Sequence, residues 1–266
     1  MMLNNIQTMP SRRIAIKRLL EAQWLIYRRN ARSVLWTAAL PILILGLARA
    51  SAGSHPTHQI LWLGAALALN TGIYALGLFG YAMQLGQNRE KGIFRRLRCT
   101  PTYPGWFLAS EGIVQLGSVL IQAVLVIGVV ALGFRASFEG IQIGWAALSI
   151  VLSGFVSLTI GQALVAFVLD LRSLTALSRF LLFTLLFVQG IFLKVTAWPK
   201  ILQHVARWTP VDLTLRLLDH AILFDTWTRT QDHELLALAA YAVILGMAGL
   251  VFFRWDPNRT IKRRKA

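Results

Sequence analysis

Charge is what this sequence has least of. Only 14% of its 266 residues are charged, where a soluble chain of this size carries about a quarter. Acidic residues are scarcer still, 11 against 27 lysines and arginines. Cysteine occurs once, as Cys99, which excludes an intrachain disulfide. No lysine stands in a G-x-x-x-x-G-K-[ST] context, so the backbone cradle that holds nucleotide phosphates is missing. H-E-x-x-H, C-x-x-C and G-x-S-x-G are missing as well. The five histidines (His55, His58, His204, His220, His233) are scattered, and no metal site or directly bound cofactor is expected.

What is abundant is apolar surface, at 56% of residues. A bilayer core about 30 Å thick is crossed by about 20 helical residues. Several charge-free runs reach that length, which predicts an all-α membrane protein of one transmembrane domain with six spans. The expected spans are 33–50, 60–88, 112–134, 141–169, 174–193 and 235–253. Residues 11–32 carry Ile16, Leu19, Leu20, Trp24 and Tyr27 at helical spacing, with Arg13, Lys17, Glu21, Arg28 and Arg32 on another face. That pattern predicts an amphipathic helix in the headgroup plane, with Ser11 as its N-cap. Residues 195–234 mix apolar and charged positions and are divided by Pro199 and Pro210. They read as two short outer helices that dip into the membrane instead of crossing it.

The basic residues flank apolar runs instead of forming one stripe, so lipid headgroups, and not nucleic acid, are the expected partner. Placing both termini and the segments after the second and fourth spans on one side gathers 20 of the 27 lysines and arginines there. Excess positive charge marks the cytoplasmic side, so both termini are expected in the cytoplasm. Ionisable residues are nearly absent within the spans, which argues against an ion-coupled pump. The polar positions there are mostly amides, among them Asn70, Gln84, Gln115, Gln122, Gln162 and Gln189. The simpler reading of each is interhelical hydrogen bonding. The functional alternative, a lining for an amphiphilic passenger, takes in Asn70, Tyr74, Gln84 and Gln189. Gly140-x-x-x-Gly144 and Gly72, Gly77, Gly80, Gly86, Gly154 and Gly161 predict close helix packing.

The densest internal charge cluster follows the second span: Arg89, Glu90, Lys91, Gly92, then Arg95, Arg96, Leu97, Arg98, Thr100 and Pro101. It resembles the R-E-[KR]-G-[TI]-x-x-x-L-[RK]-x-[TS]-P signature of ABC type 2 permeases, the membrane subunits of drug, lipid and polysaccharide exporters. The resemblance extends to the layout, with an N-terminal interfacial helix, six spans and paired outer helices before the last. It implies that 89–104 forms a coupling helix seated in a separate ATPase, and that those ten residues carry the coupling. It also implies two ATPase subunits holding ATP and Mg, and a second permease copy, identical or merely similar. The location implied is a bacterial-type cytoplasmic membrane, and the passenger implied is a hydrophobic or amphiphilic compound such as a drug, peptide antibiotic or lipid. A lipid-linked polysaccharide or glycan is the alternative passenger, and a non-transporting scaffold or sensor is the alternative class.

Overall fold

The computed structural model describes residues 12–29, 31–51, 53, 57–98, 104–134, 142–191, 198–223 and 228–253. All regular structure among them is helical. Helix α1 covers Arg12–Arg29 and α2 covers Ala31–Ser51. Next is α3, a 33-residue rod, His58–Glu90, whose turn Leu76–Tyr81 is π-helical. The short α4 (Ile93–Arg98) leads to α5 (Gly105–Gly133). After it come α6 (Ile143–Phe167), α7 (Leu171–Val188), α8 (Lys200–Arg207), α9 (Pro210–Leu223) and α10 (Arg229–Phe252).

Five of these rods, α3, α5, α6, α7 and α10, are long and apolar enough to cross a membrane. Their burial is very unequal. In its most apolar stretch α3 is 78% buried inside the chain, while α10 is 11% buried and α7 17%. The central rod is α3, with α2, α5, α6 and α9 packed around it, and α10 lies along the outer flank of α6. The peripheral rods present Phe180, Phe183, Ile244, Met247 and Val251 outward. Such a surface is stable against lipid or another apolar partner, not against water.

Glycine sets how closely the central rods approach. A Cβ on Gly161 would overlap the carbonyl oxygen of Gly77, and one on Gly77 would overlap that of Ser157. The backbones of α3 and α6 therefore touch, the small-residue packing expected between membrane helices. Gly72, Gly80, Gly86 and Gly154 are similarly crowded. Gly144 differs from its sequence reading, since nothing lies within 4 Å of a Cβ there; Gly140 lies outside the described residues. The crossing occurs at the π-turn, whose wider winding disrupts the helical hydrogen-bond ladder. Gln115 Nε2 of α5 donates to Leu76 O at 3.4 Å.

Five of the six expected spans correspond to these rods, with shifted ends, while α2, over the expected 33–50, is not among the five. The third rod starts seven residues before the expected Gly112. Trp106, Phe107 and Leu108 extend its apolar run, and Glu111 does not stop it. That carboxylate is buried, and Oε1 accepts from Asn88 Nδ2 of α3 at 3.2 Å. The last rod starts at Arg229 instead of Leu235, because Thr228 and Gln231 close a capping box on its first turn. Helix α1 packs on the bundle through Leu19, Gln23 and Tyr27. Gln23 and Tyr27 are buried, while Trp24 is 41% exposed, and Gln84 Nε2 of α3 donates to Gln23 Oε1 at 3.5 Å. Ser11 lies outside the described residues.

Near the C-terminal end of α9, burial pushes the Asp219 carboxyl up to about 7, with Asp212 nearby adding to the rise. Its protonated form is favoured in the fold. The stability it contributes is complete below about pH 4 and is lost as pH climbs toward 7. Asp219→Asn should leave the thermal midpoint unchanged at pH 4 and raise it at pH 8. A midpoint scan of both proteins across that range checks the sign.

Candidate functional site

The motif residues build a compact arm at one end of α3. The rod ends at Glu90, and Gly92 reverses the chain. Lys91 N donates to Gln87 O at 2.9 Å, and Gly92 N donates to Arg89 O at 3.1 Å. The Gly92 carbonyl then accepts from Arg95 N and Arg96 N, at 3.1 and 3.3 Å, which starts α4. Gly92 holds φ at +70°, the left-handed conformation that closes helices. A Cβ there would meet nothing within 4 Å, so the requirement is conformational and not steric. Gly92→Ala should therefore cost only about 1–2 kcal/mol, read as a modest drop in thermal midpoint. A larger loss would show that the arm depends on more than the turn.

Phe94 seats the arm on the bundle. It is 1% exposed, and its ring meets Phe107 of α5 edge-on at 5.7 Å and Phe253, just past α10, at 5.5 Å. Edge-to-face pairs add about 0.5–1.5 kcal/mol each beyond the area they bury. The three phenylalanines bring the start of α5 and the end of α10 to one point under α4.

Arg89 performs a different task from the rest of the motif. It is 4% exposed. Nη1 donates to Val165 O at 2.6 Å, and Nη2 donates to Val168 O at 2.5 Å and Leu169 O at 2.9 Å. These carbonyls close the C-terminus of α6, where helices leave acceptors unpaired and the dipole favours a cation. One step on, Asp170 caps α7 by accepting from Ser173 N at 2.8 Å, and that bond holds its carboxyl below the usual range. Arg89 thus ties the α3–α4 arm to the α6–α7 crossing. Glu90, Lys91, Arg95 and Arg96 are exposed and form the arm's outward face. The side chains of Leu97 and Arg98, together with Thr100 and Pro101, lie outside the described residues. Among the described residues of 89–104, Arg89 and Glu90 end α3 and Ile93–Arg98 forms a helix of its own; Pro104 stands immediately before the Gly105–Gly133 rod, at a helix-start position where a missing N–H costs nothing.

The structure brings together three of the four pathway candidates. Asn70 Nδ2 donates to Val211 O at 3.0 Å. Tyr74 Oη donates to Pro210 O at 2.8 Å and lies 2.9 Å from Thr214 Oγ1. Thr71 Oγ1 donates to Gln189 Oε1 at 2.6 Å. These residues form a buried polar seam between α3, α9 and the end of α7, while Gln84 sits apart beside α1. Tyr241 of α10 adds a tie that the sequence reading missed: its hydroxyl donates to Trp208 O at 2.8 Å. The turn between α8 and α9 is therefore gripped from two sides, by tyrosines at the midpoints of α3 and α10. A tyrosine amid an apolar run is the only sequence signal for either.

A lipid-facing apolar exterior, five rods able to cross a bilayer and a charged arm clipped to one end define an integral membrane protein. A family model described as ABC-2 type transporter matches residues 14–223, and the chain belongs to that family. A member of the family is the membrane subunit of an ABC transporter, a permease component that normally works with a separate ATPase. No curated protein matches the chain.

Proposed function

We propose that this chain is the permease of an ATP-driven exporter that moves a hydrophobic or amphiphilic compound outward, and that the arm 89–98 is its coupling element. Six spans with both termini in the cytoplasm fit the charge distribution, with α2 as the first span and the α8–α9 hairpin re-entrant from the outer side. Two ATPase subunits would hold ATP and Mg and grip the arms of two paired permeases.

The observation that carries this reading is the geometry of Arg89. A basic loop that only fixes topology needs no buried guanidinium on three carbonyls. An element that receives force must be rigid and joined to more than one rod. Arg89, Phe94 and the Asn88–Glu111 bond join the arm to α5, α6 and α10. Pushing the arm therefore moves several rods together.

The docking face is the exposed set Glu90, Lys91, Arg95 and Arg96. Reversing charge with Lys91→Glu and Arg96→Glu should leave the fold intact, because both side chains are exposed. Recovery of the ATPase with the tagged permease should fall at least tenfold, and transport with it. Undiminished recovery of the ATPase would remove this face from the contact.

A further inference from the structure

Two cavities lie side by side on the α8–α9 hairpin. The larger is an apolar groove of about 790 Å³ with Ile201, Val205, Trp208, Pro210 and Tyr241 in its wall and Lys200 at its edge. The smaller, about 320 Å³, is lined by Arg207, Arg216, His233 and Glu234. Both share His204 and Trp208, so they form one continuous feature, largely apolar, with Lys200 in the larger part and Arg207, beside the Arg216–Glu234 pair, in the smaller. Volumes of about 300–1,000 Å³ suit a ligand-sized body.

The charges within this feature are unevenly used. Arg216 is committed: Nη1 pairs with Glu234 Oε1 at 2.6 Å, Nε with Asp212 Oδ2 at 3.0 Å, and Nη2 donates to Arg207 O at 2.5 Å. Lys200 and Arg207 are exposed at the cavity margins. Beside them α8 turns Ile201, Leu202 and Val205 outward, at 79%, 52% and 61% exposure. The tyrosine ties at the midpoints of α3 and α10 draw the Trp208–Pro210 turn down to about half the depth of the bundle. Cations at the rim of a lipid-facing groove, on the side where positive charge is scarce, call for an anion that brings its own apolar body.

We infer that this feature binds one anionic phospholipid of the outer leaflet, with its phosphate between Lys200 and Arg207 and an acyl chain in the groove against Val205, Trp208 and Tyr241. The charge distribution selects this occupant. A second copy packed with this surface on its two-fold axis would set Lys200 and Arg207 of the two copies against each other. A zwitterionic lipid brings a phosphate but no net negative charge, so it balances Lys200 and Arg207 less well at the edge of hydrocarbon. The placement in the outer leaflet rests on the topology proposed above, but lipid binding itself requires no ATPase. A failure of coupling therefore leaves this inference standing, and the reverse also holds.

The test titrates the detergent-solubilised full chain with dioleoyl phosphatidylglycerol or dioleoyl phosphatidylcholine and counts lipid adducts by native mass measurement. The wild type should retain the anionic lipid about tenfold better than the zwitterionic one. Lys200→Gln with Arg207→Gln should bring that preference below about twofold. Val205→Trp, which fills the groove, should reduce retention of both lipids. Arg172→Gln with Arg179→Gln, exposed on α7, should leave the preference unchanged and controls for basic residues elsewhere. Millimolar inorganic phosphate should not displace the bound lipid. Equal retention of the two lipids by the wild type would overturn the inference. So would a preference that survives the Lys200/Arg207 change, one abolished by the α7 change, or full displacement by phosphate, which would mark a free-anion site.

Discussion

Arg89→Lys should insert and fold yet transport at no more than a tenth of the wild-type rate, while the partner ATPase keeps hydrolysing ATP. Lysine keeps the charge but lacks the planar fork that reaches several acceptors from fixed directions. Arg89 serves Val165, Val168 and Leu169 at once. One ammonium on a flexible stem satisfies the α6 terminus but no longer fixes it to the arm. Arg89→Ala removes both functions. A buried acceptor left bare costs about 1–3 kcal/mol, so with these carbonyls exposed together the loss should exceed about 3 kcal/mol and lower the thermal midpoint sharply. Parallel assays of ATP hydrolysis and vesicle transport separate the two variants. Wild-type transport by Arg89→Lys would show that the tie is dispensable.

Gly161→Leu should prevent folding. The added carbon would overlap the Gly77 carbonyl, a backbone atom in a helix that cannot move aside alone. Overpacked cores with mobile neighbours lose about 1–3 kcal/mol. Here α3 and α6 would have to separate along their contact, which is expected to cost more and to disturb the π-turn. The readout is the monodisperse fraction after detergent extraction. Gly144→Leu is the matched control, since space is open there, and it should behave as wild type.

The contrast between these two glycines shows what the sequence conveys and what it does not. Gly140-x-x-x-Gly144 has the local spacing associated with helix contact, yet Gly144 faces open space. Gly161 has no glycine four residues away, yet it meets the backbone of Gly77, 84 positions away, too closely for a Cβ. Spacing reports one helix's surface, whereas contact depends on which helix comes opposite. The long rods were legible because an apolar run of bilayer length admits few other structures. Their ends were less so. Glu111 reads as a boundary in isolation, and only its pairing with Asn88 lets the helix continue past it. The two short helices 200–207 and 210–223 were legible from Pro199 and Pro210. Their depth was not, because it depends on Tyr74 and Tyr241 reaching carbonyls far away in sequence.

The candidate arm was legible as a block of charge but not in its division of labour. Within R-E-K-G the first residue turns inward and the next two outward, because the rod ends at Glu90 while Arg89 still faces α6. Sequence gave Phe94 no distinction from other aromatics. It acquires one from Phe107 and Phe253, which converge on it from helices 13 and 159 residues further on.

The central claim is that the outward face of this arm sits in the ATPase and moves with nucleotide. Cysteine at position 96, in a Cys99→Ser background that leaves no other thiol, allows a direct measurement: thiol-directed cross-linking to the co-expressed ATPase in membranes. The account predicts a permease–ATPase adduct whose yield changes when ATP is added, and no adduct from a cysteine at Leu132, which is 84% exposed near the opposite end of α5. An arm labelled only by reagents confined to the outside of the cell, or an ATPase adduct from position 132 and none from position 96, would contradict it.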